Sequence, residues 1–145
     1  MIYTGSAKYA IRAMVRLAIE EGTGQPVSAA KVAEAEQVPP YYLAKVLQDL
    51  SRAGLLNSAR GRGGGFCLSR PADEITLMEV VSAVEDPYRL ERECVLGIET
   101  CGDEAPCPMH ETWKAFRDSA LEAMRTLTLA LMVKELERKR RSSAK

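Results

Sequence analysis

Cys94, Cys101, Cys107 and His110 fall within 17 residues, spaced C-x6-C-x5-C-x2-H, and His110 is the only histidine in the chain. Thiolates and neutral imidazole are the donors that zinc and iron–sulfur clusters prefer. The stretch that carries them holds Gly97, Gly102, Pro106 and Pro108 and has no sustained hydrophobic period. A loop of that kind can fold around one metal centre where a rigid element could not, and loops so long ordinarily have a function. Zinc sites usually contain a C-x2–4-C pair, which is missing here. The spacing therefore leaves zinc and an iron–sulfur cluster both open. Cys67, distant from the other three, is read as a structural thiol.

A second group of residues suits a polyanion. Arg60-Gly61-Arg62-Gly63-Gly64-Gly65 sets two guanidiniums on a backbone nearly bare of side chains, so the main chain can approach phosphates and sugars closely. The formal net charge is zero, but it is unevenly spread. Residues 1–75 hold nine Lys/Arg and seven Asp/Glu, residues 76–111 two and nine, and residues 112–145 nine and four. From Leu50 to Ala72 there are Arg52, Arg60, Arg62 and Arg70 and no acid, which is the sign that phosphates require. Around the cysteines the seven excess negative charges would lower a cluster's reduction potential and keep it oxidised.

The elements that must position these groups follow from period and punctuation. With 145 residues, 46% of them hydrophobic, the chain can bury one core. Ala7, Ala10, Ile11, Met14, Leu17 and Ala18 predict a first helix over Ser6–Glu21, ended by Gly22-Thr23-Gly24-Gln25-Pro26. Ser28 caps a short helix, Ala29–Glu36, with Val32 and Ala33 inward. Pro39-Pro40 opens a third helix, Tyr41–Ala53, and Gly54 ends it at C′. Leu55–Arg60 and Phe66–Ser69 then read as a hairpin with its tip at Gly61–Gly65. Thr76-Leu77-Met78-Glu79 fits a capping box for a fourth helix to about Glu85, stopped by Asp86-Pro87. After the cysteine loop, Thr112 to about Lys139 reads as one helix of about 40 Å. Trp113, Phe116, Ala120, Leu121, Met124, Leu127, Leu131 and Leu136 lie along one side of it. The basic run Arg138-Lys139-Arg140-Arg141 reads as a frayed tail. So long a helix exceeds what one small domain covers, and a twofold partner is its natural cover.

The fold class implied is mainly α with a small β hairpin: a winged helix-turn-helix domain plus a long C-terminal dimerisation helix. Residues 1–86 are expected to form the DNA-binding domain, 87–111 a cysteine-rich loop able to hold a metal or cluster, and 112–145 the dimerisation helix and basic tail. In this element order the third helix enters the major groove while the hairpin tip approaches the DNA backbone or minor groove. Pro39, Tyr41, Tyr42 and Lys45, with Gln48, lie opposite Leu43, Val46, Leu47 and Leu50 and can face a groove while the leucines hold the core. With the tip residues Arg60, Gly61, Arg62 and Gly63 they are the candidate DNA contacts. An enzyme is disfavoured, because no Cys-x-x-Cys, His-Glu-x-x-His or phosphate-binding glycine loop occurs. The first twenty residues carry Lys8, Arg12 and Arg16 with no apolar block, and no stretch of 18 uncharged apolar residues follows. A cytoplasmic protein without a membrane segment is expected.

These residues resemble the winged-helix regulators typified by IscR, NsrR, RirA and CymR, the Rrf-two family. Tyr9-Ala10, Leu17-Ala18, Tyr42-Leu43, Ala53-Gly54-Leu55, Arg60-Gly61, Gly63-Gly64-Gly65-Phe66, Leu68 and Ile75 to Glu85 carry the resemblance. It implies a homodimer through the C-terminal helix, a palindromic double-stranded operator, and Tyr41, Tyr42, Lys45, Arg60 and Arg62 at or near DNA. It also implies an iron–sulfur cluster on Cys94, Cys101 and Cys107. The histidine of Cys107-Pro108-Met109-His110 resembles that of the IscR-like members, which favours [2Fe–2S] with His110 as fourth ligand over [4Fe–4S]. Relatives with the larger cluster recruit a ligand from the partner's first helix, where Glu20 and Glu21 are the carboxylates available here. The regulator so implied senses iron, redox state or nitric oxide as the loop reorders and the two recognition helices shift. A cofactor-free or zinc-binding regulator of the same family is the alternative.

Overall fold

Three small side chains set the middle of the molecule. Ala7, Ala10 and Ala13 of helix α1 (Gly5–Glu20) are fully buried, and their lack of bulk lets other helices pack closely on more than one side of α1. The computed structural model describes residues 3–21, 25–98 and 100–143; the Gly22-Thr23-Gly24 part of the turn expected after α1 lies outside them.

Local chemistry explains the DNA-side elements. Ser28 accepts a hydrogen bond from Lys31 N at 3.2 Å and starts α2 (Ala29–Glu36). Gln37, with φ of 53°, ends α2 in the left-handed region and makes the turn into α3 (Pro40–Arg52). At the far end of α3, Gly54 N donates to Ser51 O and Leu55 N to Leu50 O, both at 3.0 Å, with Gly54 at φ +78°. That is a Schellman ending, the reason for glycine there. Strands β1 (Leu56–Ala59) and β2 (Gly65–Leu68) pair antiparallel, Leu56 opposite Leu68 and Ala59 opposite Gly65. Val27 adds a third edge by exchanging both backbone hydrogen bonds with Phe66, at 2.9 and 2.8 Å. After a 3₁₀ turn at Ala72–Glu74, Thr76 caps α4 (Leu77–Ser82): its hydroxyl accepts from Glu79 N while the Glu79 carboxylate accepts from Thr76 N. Arg70 pairs with the same carboxylate, which is held below the ordinary carboxylate range; burial opposes this but is outweighed by the Thr76 and Arg70 contacts.

The C-terminal half departs from expectation. In place of one helix over 112–139 there are two, α6 (His110–Thr126) and α7 (Leu129–Ser143), with Leu127 extended between them. There the chain crosses residues 75–77: Leu77 N donates to Leu127 O at 2.8 Å and Leu129 N to Ile75 O at 2.9 Å. Threonine hydroxyls bond the backbone on both sides of the break. Thr126 Oγ1 donates to Glu122 O at 2.9 Å, and Thr128 Oγ1 accepts from Leu131 N at 3.3 Å. The basic run 138–141 is helical, not frayed. Consequently α7 packs back on α1 and the 3₁₀ turn.

Two apolar clusters result. The larger joins α1, α2, α3, the hairpin and Leu129 of α7; the smaller joins Ala7, Leu77, Met78, Val81, Leu90, Leu121 and Met124. The segment between α4 and α6 is less irregular than its sequence. Leu90 buries a single helical turn, α5 (Arg89–Arg92), and a bridge between Glu93 and Thr100 closes a tight loop.

Candidate metal centre and nucleic-acid interface

On α3, Leu43, Val46, Leu47 and Leu50 are buried, which turns the other side outward. Tyr41 is 84% exposed and Tyr42 55%, with Tyr42 edge-on to Tyr9 at 6.3 Å between ring centroids. Pro39, Lys45 and Gln48 are exposed on the same end. Among the described residues no side chain caps the first turn of α3, which leaves that turn without a capping oxygen of its own.

Wing geometry requires its glycines. Gly61 and Gly63 have φ of +88° and +76°, and Gly64 N closes a turn on Gly61 O at 3.0 Å. A Cβ on Gly64 would meet Ala59 O at 2.3 Å, and one on Gly65 would meet Val27 O at 2.3 Å. Arg60, Gly61, Arg62 and Gly63 are all exposed at the tip. Of the four arginines in the acid-free stretch, Arg52 is paired with Asp49 and Arg70 with Glu79. Among the described residues, Arg60 and Arg62 have no such acid, so the cations available to a phosphate are those at the tip.

The loop gathers its four donors. Cys94, Cys101, Cys107 and His110 line one cavity of about 60 Å³. They approach as two pairs: Cys94 Sγ to Cys107 Sγ at 3.8 Å, and Cys101 Sγ to His110 Nδ1 at 3.5 Å. Cys101 is held by its amide, which donates to Arg92 O at 3.0 Å, and His110 begins α6 with its amide on Cys107 O at 2.9 Å. His110 is only 3% exposed. Its Nε2 lies 2.9 Å from Asp103 Oδ1; a carboxylate only accepts, so Nε2 is the donor in that contact, and Nδ1 is the nitrogen that faces Cys101. Hydrogen bonds from Lys114 and then His110 hold the Asp103 carboxyl down to about 2. Among the described residues, no three His, Cys, Asp or Glu side chains gather about a point fit for a single ion.

Asp103, Lys114 and Arg117 were not singled out from the sequence. Arg117 Nη1 lies 3.3 Å from Cys101 Sγ, and Lys114 Nζ lies 2.8 Å from Asp103 Oδ1. A signal did exist, since positions 110, 114 and 117 share one helix face. Cys67, read as structural, is instead exposed on β2, its thiol 4.0 Å from Asn57 O.

Comparison with known proteins follows the same architecture. The Rrf2 family model, described as an iron-dependent transcriptional regulator, matches residues 3–135. The transcriptional regulator IscR of Pectobacterium atrosepticum is 31% identical over 137 residues, covering 94% of this chain and 82% of that protein. CymR, the global cysteine regulator of B. subtilis, superposes with a TM-score of 0.74 at 26% identity, over 91% of this chain and 95% of its own. IscR of T. potens does so with a TM-score of 0.74 at 26% identity, over 94% and 88%. These are regulators rather than enzymes. Because the match runs from α1 through the wing and the cysteine loop into α7, the chain belongs to the Rrf2 family of winged-helix transcriptional regulators.

Proposed function

We propose that this chain is a homodimeric, operator-binding regulator that senses iron, redox state or nitric oxide through a [2Fe–2S] cluster on Cys94, Cys101, Cys107 and His110. The observation that carries the reading is the pairing of the four donors. Metal–thiolate bonds of about 2.3 Å at a tetrahedral angle put two sulfurs about 3.8 Å apart, and a sulfur and an imidazole nitrogen about 3.6 Å apart. The loop holds its pairs at 3.8 and 3.5 Å. Two pairs suit two irons, whereas one zinc needs all four donors around one point. When bound, the cluster supplies a one-electron centre that oxygen and nitric oxide can attack. Protein purified without oxygen is expected to absorb in the visible and to carry about two irons and two sulfides per chain. Colourless, iron-free protein would remove the sensor and leave a DNA-binding regulator.

The DNA-contacting set is Pro39, Tyr41, Tyr42 and Lys45 on α3 with Arg60, Gly61, Arg62 and Gly63 at the wing tip, supported by their exposure. Each phosphate neutralised contributes about 0.9 to the slope of log affinity against log salt. The Arg60→Ala/Arg62→Ala double variant removes two cations from each wing of the dimer and is therefore expected to lower that slope by about 3.6 and affinity about 1000-fold near 0.15 M salt. Fluorescence anisotropy over a salt series reads both; an unchanged slope would take the tip off the DNA.

Homodimerisation through the C-terminal half, and with it a palindromic operator, is supported by Phe116, Leu131 and Leu136, which are exposed. Leu136 also lines, with Leu127 and Met132, a groove of about 520 Å³. Burying a carboxylate there is costly, so Leu136→Glu is expected to shift the sedimentation mass from dimer to monomer. A dimer that survives that change and Leu131→Glu together would place the interface elsewhere.

A further inference from the structure

Helix α4 and the loop after it together have the wrong charge for an anionic cluster, with nine acids and two bases over residues 76–111. Helix α6 answers this locally. Its Lys114 and Arg117 follow His110 by one and two turns and reach back into the loop. Lys114 ends on Asp103, which accepts from His110 Nε2. Arg117 ends on Cys101 Sγ at 3.3 Å, its side chain only 12% exposed and fixed by contacts to Glu91 O and Asp118 at 3.3 Å. Both cationic arms thus serve the same donor pair, Cys101 and His110.

We infer that Arg117, seconded by Lys114 acting through Asp103, is a positioning residue that raises the cluster's reduction potential and secures its retention at Cys101 and His110. The inference rests on the cluster reading above. Its physical basis is that cluster potentials follow net charge and hydrogen bonds to the coordinating sulfurs. A guanidinium donor to Cys101 withdraws charge from that sulfur and stabilises the extra electron of the reduced state. Lys114 keeps Asp103 in place, and Asp103 keeps the His110 ring turned so that Nδ1 faces Cys101.

The test is dye-coupled redox titration of anaerobically purified wild type, Arg117→Lys, Arg117→Gln and Arg117→Met, with iron and sulfide measured on each. The neutral variants are expected to have lower midpoint potentials than wild type, with Arg117→Lys in between. An Arg117→Met chain with wild-type circular dichroism that cannot retain iron, while Arg117→Lys can, supports the same role. Should Arg117→Met fail to fold, Arg117→Gln decides alone. Wild-type midpoints at full iron content in the neutral variants overturn the role of Arg117 and leave the cluster standing. A wild type that holds no iron overturns the functional reading beneath it.

Discussion

Cys107→Ala is expected to strip the loop of iron and sulfide while leaving the winged domain folded. Cys107 stands 3.8 Å from Cys94 across the cavity, so under the proposed cluster its loss would leave one iron with a single protein donor. Changes in the shell around metal ligands already cost about 10–100-fold in metal affinity, and removing a ligand should exceed about 100-fold. The backbone need not move, because His110 N bonds to the carbonyl of residue 107, which alanine also supplies. Cys67→Ala is the matched control: Cys67 is exposed on the wing, and its removal should leave metal content untouched. Iron and sulfide assays with a visible spectrum read the pair of variants; full iron in Cys107→Ala would remove Cys107 from the ligand set.

Gly65→Ala should cost about 2–6 kcal/mol of unfolding stability, summing overpacking of about 1–3 with backbone strain of similar size. The added Cβ would lie 2.3 Å from Val27 O, 2.4 Å from Val27 C and 2.7 Å from Ser28 N. All three are backbone atoms, tied by the paired hydrogen bonds between Val27 and Phe66, so nothing flexible can give way. The φ of +153° adds strain of its own. Gly61→Ala is the contrast: nothing lies within 4 Å of its Cβ, so it bears only the left-handed penalty of about 1–2 kcal/mol. Urea unfolding of the two variants measures the difference; equal losses would mean that β2 does not approach Val27 as closely as described.

What could be read from the sequence was local. Ala29–Glu36 matched residue for residue because Ser28 is a side-chain cap, and the capping box at Thr76 and Glu79 was visible in four letters. The break in the C-terminal helix was hidden, because Leu121, Met124, Leu127 and Leu131 continue a helical stripe through it. What interrupts it is hydrogen bonding to Ile75 and Leu77, partners remote in the chain that no period reveals. A single turn such as α5 is too short to show a period at all. Cys94, Cys101, Cys107 and His110 stand out by type and spacing, and the structure brings them to one cavity, yet their approach in two pairs was not legible, since a loop's folding is set by contacts such as Trp113 Nε1 to Glu93 O at 3.1 Å. Charge counts along the chain also misled in one respect: Arg52 and Arg70 sit in an acid-free stretch but meet Asp49 and Glu79 in space.

Sensing is tested most directly by the affinity for a DNA fragment selected from a random double-stranded pool, measured without oxygen before and after a chelator removes the metal. Wild type is expected to change affinity by about 5–150-fold, the span of ordinary allosteric coupling, while Cys107→Ala shows one affinity throughout. Equal wild-type affinities in the loaded and stripped states would contradict the sensor and leave a regulator whose cysteine loop does not report to its DNA-binding helices.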